Sequence, residues 1–561
     1  MFRFLRCFRN LTHLRRQDDR TRARKAEKYE RPLSGNLQVD LGYLRDVLGN
    51  SEDLVIRRLE VGGHRVAVVY LETMVDRPTV QRDILPSLRQ LDRRVKGCTR
   101  PGELLESVKR DLAVGNLREE FLWSGLLYGL LDGRVALLLE GCNCALLVEA
   151  DEWEKRAVME PEIETVIRGP REGFTEDLPT NMSLIRRRLR SPKLRFETFY
   201  VGRVTHTRVV MAYLEGLALE TVLEELRRRL GCIDIDGVLE SGYIEELIED
   251  FPLSPFPQVG RTERPDKVVA DILEGRVAIL TDGSPFVLTL PINLFSQIHA
   301  PDDVYERWVI SHGIRLFRFL GLIISLLLPS LYVAITTFHH EMIPTTLAVA
   351  LAAQRERVPY PAFVESLIMQ VIFEILVEAG LRLPRPIGQA VTVVGALVIG
   401  EAAVRANLAS AAMVIVISLT AIASFTNPTF GLGTVLRMLR LPMIFLAASL
   451  GLFGIFTGVL LLLIHLASLR SFGLPYLAPV SPFLWEDQKD VIFRAPWWAM
   501  YTRPKLEGGL RNFFRVKPGI NKAVPGRVKE PEEELETLTG RDRGRPKKAS
   551  RSRGPSGRSG G

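Results

Sequence analysis

Five polar residues with helical spacing lie inside the apolar half of an otherwise charged chain. Gln370, Glu374 and Glu378 recur every four residues in FVESLIMQVIFEILVEAG, and Glu401 precedes Arg405 by four in VIGEAAVRANLAS. At the helical period the first three share one face, whereas Glu365 points the other way. A row of carboxylates can hold cations, and in a ring of identical subunits it becomes a charged ring of the kind that selects cations in channels. An amphipathic helix lying at a membrane surface, or lining a wet cavity, has the same pattern. Glu401 and Arg405 are best described as an i,i+4 ion pair, glutamate first, steadying a helix end. A polar element facing a conduction path or a subunit contact is the alternative.

Group-transfer and metal chemistry have little support. The patterns GxGxxG, GxxxxGK[ST] and HExxH do not occur. His64, His206 and His312 stand alone, and Asp234 and Asp236 flank Ile235 without the other ligands of a calcium loop, so a turn is the expectation. The five cysteines are odd in number and lack a CxxC pair, which fits a reducing compartment; Cys142 and Cys144 are expected to pack. No enzyme activity, cofactor or metal site is expected.

The elements that position these residues divide the chain in two. Most of the charge falls before residue 305, while 319–468 is almost wholly apolar. That asymmetry is the signature of a soluble region joined to a membrane region. Arginines interrupt MFRFLRCFRN, so no secretory signal is expected and the N-terminal region stays on the side of synthesis.

The first half repeats itself. RVAVVYLE beginning at Arg65 returns as RVVMAYLE at Arg208, and LLDGRVALLLEG beginning at Leu130 returns as ILEGRVAILTDG at Ile272, offsets of 143 and 142 residues. Two matches at one spacing argue for a duplicated unit. Each copy orders a β-branched strand, helices and a Gly-Arg-led strand pair, with acidic-Gly turns such as Asp132-Gly133 and Asp282-Gly283.

In the second half, 319–337, 386–404, 408–425 and 441–468 are long enough to span, and Pro329 is expected to kink the first. The segments 342–353 and 362–379 are expected to be re-entrant or interfacial. Gly388, Thr392, Ala396 and Gly400, spaced by four, form a close helix-packing seam. Arginines flank both ends of the region, so both termini are placed in the cytoplasm and the number of crossings is even, with four preferred. This assignment leaves Arg437 and Arg440 in an outer loop. Trp497, Trp498 and Tyr501 resemble an interfacial belt.

The fold class is thus α/β plus an α-helical membrane protein, with two duplicated cytoplasmic α/β subdomains followed by a helical transmembrane domain. The expected boundaries are 1–50, a basic disordered segment; 51–185 and 193–298, the subdomains; 306–470, the transmembrane domain; 471–514, an interfacial cytoplasmic segment; and 515–561, a disordered charged tail. The basic tails suit an anionic membrane surface, each basic residue near it contributing roughly 1 kcal/mol. RGRPKK resembles a minor-groove hook, but no nucleic-acid partner is expected.

Two stretches carry a family resemblance: SPFPQVGRTERPDKVVADILEGRVAILTDGSPFVLTLP, and the run from TTFHHEMIPT through PAFVESLIMQVIFEILVEAG to LTAIASFTNP. Together they resemble the A subunit of GerA-type spore germination receptors over about 50–505. The resemblance implies a spore inner-membrane protein working with a transporter-like B subunit and a lipoprotein C subunit. It implies a complex that answers small nutrients such as amino acids or sugars by releasing ions, with the A subunit forming a homo-oligomeric conducting part in the lipid bilayer and nutrient recognition mainly in the B subunit. A sister branch, the stage V sporulation protein AF type, shares the architecture; HEMIPT, PAFVESL and IGQAV…GALVIG sit closer to the receptor branch. A self-contained secondary transporter would show inverted repeats among its spans, and the repeat visible here lies outside them. A scaffold that merely anchors partners is a third reading.

Overall fold

The computed structural model describes residues 30–49, 51–94, 101–112, 117–150, 160–161, 164, 166, 168–383, 398–500, 502–504 and 506. The first α/β unit contains α1 (Leu37–Leu48), β1 (Leu54–Val61), β2 (His64–Leu71), α2 (Leu85–Arg94), α3 (Pro101–Asp111), β3 (Leu117–Glu120), α4 (Trp123–Leu131), β4 (Arg134–Leu139) and β5 (Ala145–Glu149). The second contains α5 (Leu178–Arg188), β6 (Leu194–Val201), β7 (Thr207–Leu214), α6 (Glu220–Cys232), α7 (Ser241–Ile248), β8 (Gly260–Thr262), α8 (Pro265–Glu274), β9 (Val277–Thr281) and β10 (Val287–Leu290). Their five-stranded sheets are ordered β1-β2-β4-β5-β3 and β6-β7-β9-β10-β8, with every neighbouring pair antiparallel. The two orders correspond strand for strand.

The central strands are apolar on both faces because both faces are covered. Val66, Val68 and Tyr70 of β2 pack with Leu88 and Leu104 from α2 and α3. Ala67 and Val69 pack with Leu41, Leu44 and Leu126 from α1 and α4. In the second unit Val209 and Met211 meet α6 and α7, and Val210 and Ala212 meet α5 and α8.

Two expected boundaries move. Residues 37–49, placed by sequence in the disordered segment 1–50, contain a core helix: Leu37, Leu41, Leu44 and Leu48 form an apolar stripe, and the Asn36 side chain caps it by accepting from Gln38 N and Val39 N. Residues 1–29 lie outside the described residues. At 178–188, α5 packs on the second sheet rather than closing the first subdomain. The units are joined by a buried ion pair. Arg186 Nη2 donates to Asp53 Oδ1 at 2.9 Å while its Nε lies 2.8 Å from Oδ2, and both side chains are sealed from solvent.

The helical region contains α9 (Trp308–Thr337), α10 (Thr345–Arg355), α11 (Ala362–Arg382), a helical stretch at 398–405, α12 (Ala411–Ser424), α13 (Phe430–Leu450) and α14 (Leu452–Ser468). Among the described residues, α9 and α13 are long and apolar enough to cross a membrane. Pro329 lies inside α9. The run 441–468, expected as one span, is divided at Gly451, whose φ of 63° places it in the left-handed region that favours glycine. The halves fold back as a hairpin because Gly454 has no side chain: a Cβ there would stand 2.0 Å from the Leu446 carbonyl oxygen. Arg437 and Arg440 consequently sit inside α13, not in an outer loop. The segment 362–379, expected to be re-entrant or interfacial, lies in helix α11, which packs against α9, α12 and α13.

Midway along α9, Gly321 lies against Ala423 at the end of α12 and Thr426 just past it; beyond the far end of α9, Phe338 and His339 lie against Gly451, which follows α13. Helix α13 therefore runs outward and α14 back, where His465 Nε2 meets Ser254 Oγ at 2.9 Å on the second α/β unit. The segment 471–514, expected as interfacial, begins by binding that same unit: Phe472 enters its core, and Ser471 Oγ donates to Gln258 O at 2.7 Å.

A second buried ion cluster fixes this arrangement. Asp303 accepts from Arg315 Nε at 3.1 Å and from Arg318 Nη1 at 2.7 and 2.8 Å. Arg315 also reaches Asp490 at 2.7 Å, and Arg494 donates to the backbone oxygens of Asp303, Val304 and Glu306. Removing one partner from such a cluster leaves a buried charge uncompensated, which costs about 3–5 kcal/mol. Asp303→Ala is expected to lose this much, read as a lowered unfolding midpoint of the detergent-solubilised full chain and early proteolysis of the 470–504 segment.

His299 adds a pH term. Its Nε2 stands 2.9 Å from the Val491 carbonyl oxygen, and burial, with Arg315 nearby, lowers its pKa from 6.5 to about 4. The unfolded chain binds the proton first. The stability contributed by the neutral ring is therefore complete above about pH 6.5 and is lost as pH falls toward 4. His299→Gln, which can still donate to Val491, should flatten the upper part of this acid slope in a pH series of thermal unfolding; an unchanged slope would refute the assignment.

Candidate functional site

Polar side chains converge between apolar helices. On α11, Glu365, Ser366 and Gln370 are buried. Glu365 Oε1 accepts from Ser410 N at 2.5 Å and Ser410 Oγ at 2.7 Å. Ser410 in turn caps α12 by accepting from Met413 N at 3.2 Å. A carboxylate thus sits at a helix N-terminus, where the helix dipole favours negative charge. One turn along from Ser366, Gln370 Nε2 donates to Glu374 Oε1 at 2.9 Å, and Glu374 Oε2 lies 3.5 Å from Arg437 Nη1 on α13. Arg440, next on that face, is fully buried and donates to the Ser325 carbonyl oxygen at 2.5 Å and to its hydroxyl at 2.9 Å.

Four atoms of this seam have no hydrogen-bond partner among the described residues: Glu365 Oε2, Ser366 Oγ, Gln370 Oε1 and Arg440 Nη1; Ser330 Oγ on α9 is likewise unpaired. Unpaired buried polar atoms are costly, so their concentration along one seam marks it as a place for water, an ion or a group from another chain. Chemically the seam offers two carboxylates, amide and hydroxyl oxygens and two guanidiniums, a set that can coordinate ions.

The residues singled out by sequence are distributed unevenly. Gln370 and Glu374 join the seam. Glu378 pairs instead with Arg382, Oε1 to Nη2 at 2.6 Å, at an exposed position. Glu401 and Arg405 form the expected i,i+4 pair at 2.5 Å, also exposed, where such pairs contribute about 0.3–0.5 kcal/mol. Gly388, Thr392 and Ala396 lie outside the described residues, and Gly400 lies against Val414 of α12. The sequence did not reveal Glu365 as a cap or Arg440 as a buried cation. For Arg440 the available signal was an arginine within reach of helical periodicity from Phe430 onward; for Glu365, its opposition to Gln370 on the helix face.

A second concave site lies where the second α/β unit meets the helices, a cavity of about 820 Å³. Most ions on its wall neutralise one another: Lys267 with Glu164 at 2.9 Å, Arg276 with Asp271 at 2.9 Å, and Arg315 with Asp490 at 2.7 Å. Glu245 has no hydrogen bond or ion pair among the described residues, and burial pushes its carboxyl up to about 7 despite Arg261 nearby.

The model of the Bacillus/Clostridium GerA spore germination protein family matches residues 42–506. The chain is 44% identical to spore germination protein KA of Bacillus subtilis (strain 168) over 484 residues, 85% of this chain and 88% of that protein. It is also 44% identical over 480 residues to the protein of the same organism named uncharacterized membrane protein YfkQ, covering 85% of this chain and 92% of that protein. Among solved structures it matches the N-terminal domain of the A subunit of the Bacillus megaterium spore germinant receptor GerK3, with 35% identity and a TM-score of 0.37, over 46% of this chain and 96% of that one. The seam and the cavity both fall within the matched residues, and the chain belongs to the GerA family of spore germination proteins.

Proposed function

We propose that this chain is an integral membrane A subunit of a nutrient germinant receptor, that its copies assemble into a ring, and that the helical region conducts ions when germination is triggered. The observation that carries the reading is the buried set Glu365, Ser366, Gln370 and Arg440 between apolar helices, with the half-buried Glu374 bonded to Gln370. Ionisable groups at such depth face protein or water and mark ion paths. Family membership supports the spore role, and the relative named a membrane protein supports insertion. The two corresponding sheets fit an origin by duplication, and the subdomains would sit in the cytoplasm and mediate assembly.

A transporter-like B subunit and a lipoprotein C subunit are the partners of this reading, in the spore inner membrane. Nutrient recognition would lie mainly in the B subunit, leaving this chain the conducting and coupling work. Both ends of the helical region return to the second α/β unit, consistent with an even number of crossings and cytoplasmic termini. Since α11 packs against α9, α12 and α13 and is 21 residues long, about 30 Å at the helical rise, it is counted as a crossing.

Glu374 is the carboxylate placed to meet a passing cation. Glu374→Gln should lower or alter ion release from germinating spores, or conductance of the reconstituted receptor, by about an order of magnitude, the scale of one lost charge contact of roughly 1.4 kcal/mol. Glu378→Gln and Glu401→Gln, which break only exposed pairs, should change flux far less. Normal flux in Glu374→Gln spores at normal protein level would sink the pore-lining assignment.

A further inference from the structure

The junction cavity carries chemistry that the conducting role does not use. Its neutralised ions leave three charges over: Glu245 and Glu249 from the region of α7, and Arg261 on β8. Among the described residues the Glu249 carboxylate accepts only a long 3.4 Å bond from Gln258 N, and the Arg261 guanidinium has no hydrogen bond or ion pair. Two carboxyl groups, acceptors only once a bound cation holds them ionised, and one fork of donors suit a molecule bearing an ammonium and an anion. On the other wall Phe430, Thr434 and Met438 line the cavity at i, i+4 and i+8 of α13. They form a stripe of about 12 Å along the helix. Phe430 is about half exposed and Met438 largely exposed. The charged recess therefore opens onto an apolar track along a helix long enough to span a membrane.

We infer that this cavity binds the zwitterionic headgroup of an aminophospholipid, its ammonium at Glu245 and Glu249, its phosphate at Arg261, and an acyl chain laid along Phe430, Thr434 and Met438. The inference rests on the membrane reading above. A primary ammonium is favoured over a quaternary one, because carboxylates require N–H donors to form charge-assisted hydrogen bonds. An anionic lipid without an amine would meet two uncompensated carboxylates.

The test uses the full chain in detergent, exposed to equal amounts of phosphatidylethanolamine, phosphatidylcholine and phosphatidylglycerol, with retained lipid counted by native mass spectrometry. Phosphatidylethanolamine should be retained about tenfold over the other two. The Glu245→Gln/Glu249→Gln double variant should abolish the preference, and Glu245→Asp should keep most of it, which separates charge from folding. Met438→Asn should weaken retention of the lipid. Soluble glycerophosphoethanolamine, which carries the headgroup alone, should compete poorly. Equal retention of the three lipids by the unaltered chain, or a preference that survives the double variant, overturns the proposal. Competition by glycerophosphoethanolamine as strong as by the intact lipid also overturns it, since the ligand would then be a free small zwitterion. Release of the chain from membranes by alkaline carbonate would overturn the membrane reading as well, whereas a chain that stays in the membrane without lipid preference removes the lipid site alone.

Discussion

One carboxylate holds the two halves of this protein in register. Asp303 lies in the short connection between the second sheet and the first long helix, is almost completely buried, and is shared by Arg315 and Arg318 on that helix. Arg494, from the segment after the last helix, closes on the backbone around it. Buried charges retain their ionised form only when geometry and hydrogen bonds compensate desolvation, so each partner restricts the others. This cluster adds to the ties made by His465, Ser471, Phe472 and Thr429 the charged contacts that fix the base of α9 itself. With it, a tilt of α9 must either carry the second unit along or break ion pairs in a low-dielectric setting.

The helical region inverts the usual distribution of polarity. Large apolar side chains such as Phe445, Phe453, Phe456 and Ile464 are exposed, while Glu365, Gln370, Ser325 and Arg440 are buried. In water this arrangement would be unfavourable on both counts. In hydrocarbon it is consistent on both: apolar groups meet lipid, and polar groups meet one another. The same logic explains why Glu365 faces the start of α12. There the backbone N–H of Ser410 would otherwise lack a partner, and the carboxylate and the helix end stabilise each other.

Much of the architecture was legible because it rests on local pattern. The offsets of the two repeated strand motifs located the corresponding sheets, and the spacing of Glu401 and Arg405 gave their ion pair. The helix Leu37–Leu48 was also legible in its leucine spacing, but its basic flank drew it into a supposed disordered segment. The break at Gly451 was not legible. An apolar run has the same composition whether or not it turns, and the turn is selected by close packing of Gly454 on Leu446. Arg440 was misplaced for a related reason. Its partner is the Ser325 backbone, distant in sequence, and charge-based topology rules assume that arginines seek the membrane boundary.

These constraints also give the junction cavity its leverage. Its walls belong to both halves: Glu245 and Arg261 move with the second sheet, Phe430 and Met438 with α13. The start of α13 is tied to the same place by Thr429, whose hydroxyl donates to Gln297 O at 2.9 Å, and by Gly431, which lies against Pro257 and Arg261. A molecule held across such a joint interacts differently with each relative position of the walls. Its binding free energy therefore biases that position, and by reciprocity the position sets its affinity. Helix α13 also carries Arg437 and Arg440, the cationic side of the polar seam. A shift at its first turn is transmitted along a rigid helix to the place where Glu374 and Ser325 meet those guanidiniums, so occupancy of the cavity and charge placement in the seam share one mechanical element.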